Sequence, residues 1–247
     1  MKTLPNTIGK LMHLKYLDLS HNEIEVLPSS ITRLVNLQTL KLSHCTNLKE
    51  LPANIQKLVS LKDLNIKGCE NLTHMPRGFG QLTSLQTLNL SKYAKLSELL
   101  VDIQKMVSLK HLDLEDCENL THMPHGLGQL TSLQTLKWNP EGDDNENSMD
   151  SLRPHESLKS LSVNGYMGVR VSSWLSFLTN LVDLSIFNCK KCQYLPPLYQ
   201  LSNLRSLYIW GMDGLEYMTD GDMNDGDICF TGITINIFPI PSETQSN

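Results

Sequence analysis

The strongest constraint on this chain is a leucine pattern, of the form L-x-x-L-x-L or a close variant, that recurs nine times at steps of 23 to 25 residues. A unit this short cannot bury its apolar residues alone, so successive units must stack and share one core. The period therefore predicts an α/β repeat fold, a leucine-rich-repeat solenoid with a curved ladder of parallel strands on its concave face and short helices and loops on its convex face. The units begin at Leu14, Leu37, Leu61, Leu85, Leu109, Leu133, Leu158, Leu181 and Leu204.

The repeats divide the chain into two regions. We expect residues 1–218 to form the solenoid, with nine strands and a partial first repeat, because residues 4–11 match the convex half of a unit with no strand before them. Residues 139–157 lack the closing pattern of the other convex sides and are rich in Asp, Asn, Glu and Ser, which predicts a mobile acidic excursion. Residues 219–247 contain no further repeat and are expected to form an acidic, irregular tail.

Charge and hydropathy narrow the class of partner. The net charge is −5, which argues against nucleic acid because domains that bind it usually carry a basic excess. No apolar run has the length of a signal peptide or a bilayer span, so the sequence predicts a cytoplasmic protein that does not bind membranes. A long repeat array usually presents a binding surface, so the expected partner is a protein.

One slot of the repeat holds cysteine with unusual regularity. It lies eight residues after the first Leu of the unit, where the strand turns out of the sheet. Asn or Cys at such a turn can donate a hydrogen bond to a backbone carbonyl that would otherwise have no partner. We interpret the residues in this slot as a structural ladder, with the thiols buried and reduced. They are Asn22, Cys45, Cys69, Cys117 and Cys189.

Two segments of the chain are close copies. Residues 56–88 and 104–136 match at 25 of 33 positions. Three of the differences fall on outward strand positions: Asp63 against His111, Asn65 against Asp113, and Lys67 against Glu115. The charges on the concave face have changed while the scaffold has not, which fits either selection for a partner or free drift of surface positions.

Outward strand positions also define the candidate partner-binding surface. They are polar through most of the array but aromatic near the C-terminal end, and exposed Trp and Tyr are common at binding hot spots. Further repeats or the acidic tail could instead cover these aromatic residues. The candidate residues are Asp63, Lys67, His111, Asp113, Glu115, Asp183, Phe187, Tyr208 and Trp210.

Catalytic, metal and cofactor sites have little support. Cys189 and Cys192 form a C-x-x-C motif without a second ligand pair, and His122 and His125 are not both kept in the duplicate. Residues 220–231 depart from an EF-hand at its sixth and twelfth positions. We therefore predict no enzyme activity, no metal site and no cofactor.

Longer segments carry a family resemblance. GLGQLTSLQTL, SLRPHESLKSLSVNGYMGVRVSSWL and LTNLVDLSIFNCKKCQYLPPLYQLSNLRSLYIWGMDGLEYM resemble the leucine-rich-repeat region of plant intracellular immune receptors of the coiled-coil, nucleotide-binding class. The resemblance implies a sensor that contacts a pathogen effector or a guarded host protein and restrains the receptor's nucleotide-binding module. That module is absent from this chain, since no G-x-x-x-x-G-K-[ST] loop occurs.

Two other functions remain open at this stage. The chain could be a free-standing cytosolic adaptor of a signalling protein, or a non-functional remnant of a receptor gene.

Overall fold

The sheet contains ten strands in the part of the chain that the structure describes, and each strand pairs in parallel with its neighbours in chain order. The structure is a computed structural model that describes residues 1–93, 102–117, 120, 126–139, 149–150 and 152–216, and the backbone of 234–238. The strands are β1 (Tyr16–Asp18), β2 (Thr39–Lys41), β3 (Asp63–Asn65), β4 (Thr87–Asn89), β5 (His111–Leu114), β6 (Thr135–Trp138), β7 (Ser160–Asn164), β8 (Asp183–Phe187), β9 (Ser206–Trp210) and β10 (Thr234–Phe238).

The register of the sheet follows the leucine pattern. Leu40 is the Cα partner of Leu64, and Leu64 is the partner of Leu88, so the same repeat position lines up from strand to strand. These three side chains are fully buried, while the residues on either side of them in each strand are partly exposed. Alternation of side chains along a strand explains this pattern. The predicted leucine-rich-repeat solenoid is confirmed.

Short 3-10 helices cover the other side of the core. They run for three to five residues, and the first two follow a Pro. Proline suits the start of a helix because the first N–H groups there have no acceptor within the helix. A proline, which lacks an N–H, therefore loses no hydrogen bond. The helices are η1 (Asn6–Lys10), η2 (Ser29–Arg33), η3 (Ile55–Lys57), η4 (Phe79–Gln81), η5 (Ile103–Lys105), η6 (Leu127–Gln129), η7 (Ser173–Phe177) and η8 (Leu198–Gln200).

The turns that follow the strands have a left-handed backbone wherever the structure describes them. The residue seven positions after the first Leu of a unit has a φ between 53° and 73° in every repeat where this position is described. Glycine adopts this conformation without strain, and Asn and Asp tolerate it better than most residues. The difference between Gly68 and Asp116 in the duplicated segments therefore falls on this turn. The residues are His21, His44, Gly68, Lys92, Asp116, Gly165, Asn188 and Gly211.

The tenth strand lies within the segment that the sequence predicts to be irregular. Backbone pairing puts Ile235 opposite Leu207 and Ile237 opposite Ile209, so the segment Thr-Ile-Asn-Ile-Phe is in register with the repeat strands. The nine repeat strands end without a tenth L-x-x-L-x-L unit, and this shorter pattern escaped a search for leucine spacing. The rest of the predicted tail, from residue 219, lies outside the described residues.

The predicted acidic excursion is only partly described, since residues 140–148 and 151 lie outside the described ranges. At its C-terminal end, Met149 and Leu152 are each only 1% exposed. The indole Nε1–H of Trp174 donates a hydrogen bond to the Met149 carbonyl at 2.8 Å. These two buried residues supply the apolar closure that the sequence pattern lacked, and the mobility of the excursion stays a prediction.

The central leucines generate a stability prediction. Leu88 is fully buried, so Leu88→Ala should lower the free energy of unfolding by about 2–5 kcal/mol, because it leaves a cavity that the stacked repeats cannot fill. Val59 is 62% exposed, and Val59→Ala should change that free energy by less than about 0.5 kcal/mol. Reversible denaturant titration measures both values. Similar values for the two variants would show that the register is misassigned.

Candidate protein-recognition surface

A ladder of thiols lies directly behind the concave face. Cys45 Sγ donates to the carbonyl of Leu19 at 3.1 Å, and Cys69 Sγ donates to that of Leu42 at 3.1 Å. Cys117 Sγ makes the same bond to Leu90 at 3.2 Å. Each acceptor belongs to an earlier repeat, so each thiol ties its repeat to its neighbour. Asn22 also donates to the Leu19 carbonyl, at 3.1 Å, within its own repeat.

Cys189 departs from this geometry. Its Sγ donates at 3.2 Å to the carbonyl of Phe187, which belongs to its own repeat. The same slot one repeat earlier holds Tyr166, whose hydroxyl donates to the Arg170 carbonyl at 3.0 Å. Tyr93 fills the slot between Cys69 and Cys117, and its side chain is fully buried. The sequence search missed both tyrosines because it looked only for Asn and Cys, although the offset of eight would have found them.

Burial makes these thiols unreactive. It raises the pKa of Cys69 and of Cys189 to about 12, and that of Cys117 to about 11. Because the thiolate is the nucleophilic and metal-binding form, thiols that stay protonated at neutral pH are poor nucleophiles and poor ligands. Cys189 and Cys192 are both buried free thiols.

A second ladder runs along the residue before the first Leu of each unit. Asn36 Nδ2 donates to the Met12 carbonyl at 2.8 Å, and Asn203 Nδ2 donates to that of Thr179 at 2.8 Å. Ser157 reaches the Leu133 carbonyl in the same way at 3.0 Å. The sequence carries a signal for this ladder, since Asn or Ser fills this position in eight of the nine units.

Asp113 has a structural role on the concave face. Its Oδ1 accepts the backbone N–H of Glu115 at 3.1 Å, as Asp18 Oδ1 accepts that of Ser20 at 2.9 Å. Asn65 and Asn89 make the same bond in the repeats between them. These side chains support the turn out of the strand, so the turn alone accounts for an acid or amide at this position.

The other candidate residues of the central repeats lie on the concave face but are spread along it. Asp63 and His111 have Thr87 between them in the register, which separates their strands by about 10 Å. His111 Nδ1 lies 3.1 Å from Thr135 Oγ1, and Glu115 Oε2 lies 3.5 Å from Lys137 Nζ. Lys67 is partly exposed. Burial raises the pKa of Asp63, although the nearby Lys41 opposes this shift.

Three aromatic residues lie on neighbouring strands at the C-terminal end of the same face. Phe187 and Trp210 are Cα partners on β8 and β9, and Tyr208 lies two residues before Trp210. Tyr208 is 37% exposed, and the other two are partly exposed. We call Phe187, Tyr208 and Trp210 the aromatic cluster. Asp183 lies four residues before Phe187 on β8, about 13 Å along the strand and so outside the cluster.

The tenth strand extends the sheet beyond this cluster. The backbone of Phe238 pairs in register with Trp210, and that of Asn236 pairs with Tyr208. Strand β9 is therefore an internal strand of the sheet, and the edge beside the aromatic cluster is paired. This pairing uses backbone N–H and C=O groups. The side chain of Tyr208, on the outward side of the sheet, remains exposed.

Within the described residues, no group of three or more His, Cys, Asp or Glu side chains could hold a metal ion. The predicted surface histidines His122 and His125 and the acidic loop 220–231 lie outside the described residues. Over the same described ranges, no helix has the length and apolar character needed to cross a bilayer.

The strand ladder and its open polar and aromatic face define a leucine-rich-repeat protein, a fold that generally mediates binding between proteins. A family described as "Leucine-rich repeat region" matches residues 3–240, and the chain belongs to that family.

Curated relatives are plant disease resistance proteins. The chain is 39% identical over 75 residues to the putative disease resistance protein RGA1 of Solanum bulbocastanum, which covers 29% of this chain and 8% of that protein. It is 35% identical over 98 residues to the putative disease resistance RPP13-like protein 1 of Arabidopsis thaliana, covering 36% of this chain and 9% of that protein. The matched segments therefore span less than a tenth of either relative.

Solved structures share the fold. The plant peptide hormone receptor RGFR1, in complex with RGF2, matches with a TM-score of 0.56 and 22% identity, over 88% of this chain and 41% of that one. Internalin C2 of Listeria monocytogenes matches with a TM-score of 0.56 and 19% identity, over 82% of each chain. At these identities the likeness concerns the fold.

Thiol titration tests the thiol ladder. In native buffer at pH 8, a Cys229→Ser variant should react with a thiol reagent only as fast as it unfolds, because its five remaining cysteines are buried. The reaction should be complete in denaturant. Rapid labelling of Cys69 or Cys117 in the folded protein, located by mass spectrometry, would contradict the ladder geometry.

Proposed function

We propose that this chain is the recognition region of a plant disease-resistance receptor, and that it binds a pathogen effector or a guarded host protein through its concave face. The observation that carries the proposal is the aromatic cluster on that face. The likeness to the disease resistance proteins of Solanum and Arabidopsis supports the receptor class. Since the matched segments span less than a tenth of those proteins, the activity of a whole receptor is part of the proposal.

The aromatic cluster has the chemistry of a binding hot spot. Buried Trp and Tyr anchors contribute most of the affinity of many protein interfaces, whereas exposed charges mainly change the rate of encounter. The packing of the repeat does not require aromatic residues here, because equivalent outward positions in other strands hold Ser, Asn, Asp or Lys. The polar residues Asp63, Lys67, His111 and Glu115 would then form a region that selects among partners.

The same proposal includes a second partner and a cellular setting. The chain would work in the cytoplasm, in innate immunity, and would restrain a nucleotide-binding module of the same receptor class. Co-expression of the two as separate polypeptides tests this part. A complex that survives purification would support it, and the absence of one at micromolar concentrations would contradict it.

Substitution of Trp210 tests the concave face. Trp210→Ala should weaken the binding of a protein captured from host tissue by about 2 kcal/mol or more, because it removes the largest anchor of the cluster. Tyr208→Ala should weaken it in the same direction. Calorimetry with the purified partner measures the affinity.

Matched controls come from the opposite side of the solenoid and from the far end of the sheet. Tyr199 on η8 is 59% exposed, so Tyr199→Ala removes a tyrosine side chain, as Tyr208→Ala does, but from the convex face. Lys41→Ala removes a partly exposed charge from β2. Both variants should change the affinity by less than about 1 kcal/mol. Equal affinities for wild type and Trp210→Ala, with both shown to be folded, would exclude the cluster as the anchor.

A further inference from the structure

The convex side of the first three repeats carries two parallel rows of exposed side chains. The last residues of η1, η2 and η3 are Lys10, Arg33 and Lys57. Two residues further along the chain are Met12, Val35 and Val59, which are 55%, 40% and 62% exposed. The two rows line a groove of about 690 Å³. We call these six residues the basic groove.

The repeat fold does not require apolar side chains in this row. The same position holds Thr83, Thr131, Thr179 and Ser202 in later repeats, so polar residues satisfy the local structure. Three exposed apolar side chains on successive repeats therefore need an explanation outside the packing of the solenoid. Contiguous exposed apolar surface commonly marks a binding site.

The cations of the groove have no partners among the described residues. No ion pair or side-chain hydrogen bond is found there for Lys10, Arg33 or Lys57. The equivalent Lys105 in the fifth repeat differs, because its Nζ lies 3.1 Å from Asp102 Oδ2. None of the residues that line the groove is acidic. The groove is thus a local positive surface on a chain whose net charge is −5.

We propose that the basic groove binds an acidic amphipathic segment of a partner protein. Apolar side chains of the segment would cover Met12, Val35 and Val59, and its carboxylates would lie against the three cations. Charge complementarity selects this occupant. A nucleic acid fits less well, because the groove offers no aromatic side chain for base stacking and the whole chain is acidic.

The groove is separate from the aromatic cluster, which lies on the other face and at the other end of the sheet. The proposal therefore does not depend on the function proposed above. Three repeats span about 10 Å between their outer strands, so the expected contact is small and weak. Such a contact would assist a larger interface or position a flexible segment.

A labelled peptide tests the proposal directly. The probe is a fluorescein-labelled peptide of alternating Glu and Leu, and fluorescence anisotropy of the full chain with this peptide gives the affinity. We expect saturable binding that weakens as salt is raised, because the cations are exposed. A peptide of alternating Lys and Leu should not bind.

The duplicated repeats supply matched variants. Helices η3 and η5 both have the sequence Ile-Gln-Lys, and each is followed two residues later by an exposed Val. Lys57→Glu should weaken binding about tenfold, because it sets like charges against each other. Lys105→Glu should change it by less than about twofold. Val59→Ser should weaken binding, and Val107→Ser should not.

Four results would overturn the proposal: no saturable binding of the Glu and Leu peptide, equal effects of Lys57→Glu and Lys105→Glu, equal binding of the Lys and Leu peptide, or tighter binding to phosphatidylserine vesicles than to the peptide. The last result would assign the groove to a membrane surface. Circular dichroism of each variant establishes that it is folded, which is expected because the substituted side chains are exposed.

Discussion

No repeat of this chain can bury its own leucines, and every other feature depends on that constraint. A strand of three to five residues exposes backbone groups on both edges and an apolar row on one side, so it is stable only when paired within the stack. The parallel register joins equivalent positions of successive repeats. Any side chain that repeats with the period then forms a continuous row. The thiol ladder, the asparagine ladder and the left-handed turns are such rows.

The fold was predictable because its cause is periodic. Leu64 and Leu88 are buried at the positions that their spacing indicated, and the strands begin where the pattern puts them. Positions that serve the fold through residues other than leucine were not predictable in this way. Tyr93 and Tyr166 fill the ladder slot with a different chemistry, and in the tenth strand isoleucines replace the leucine pattern.

The candidate site was less predictable, because a polar residue at a surface position can either support the fold or contact a partner. Asp113 was selected as a contact residue, yet its carboxylate accepts the backbone N–H of Glu115 and so supports the turn. A single sequence cannot separate these roles, since both favour a short polar side chain. The aromatic cluster is easier to interpret as a contact surface, because the turn needs no aromatic residue. The basic groove was not predictable from the leucine pattern, because it joins exposed convex residues that are 23 or 24 positions apart.

Because the strands share one register, equivalent positions lie at equal steps along the solenoid. The basic groove lies on the first three repeats and the aromatic cluster on the eighth and ninth, so their separation is a whole number of strand spacings, each about 4.8 Å. Gain or loss of two central units, the offset between the copies 56–88 and 104–136, moves the two surfaces apart or together by two increments and leaves both intact. Unequal recombination can thus vary the distance between the two proposed binding surfaces without redesigning either.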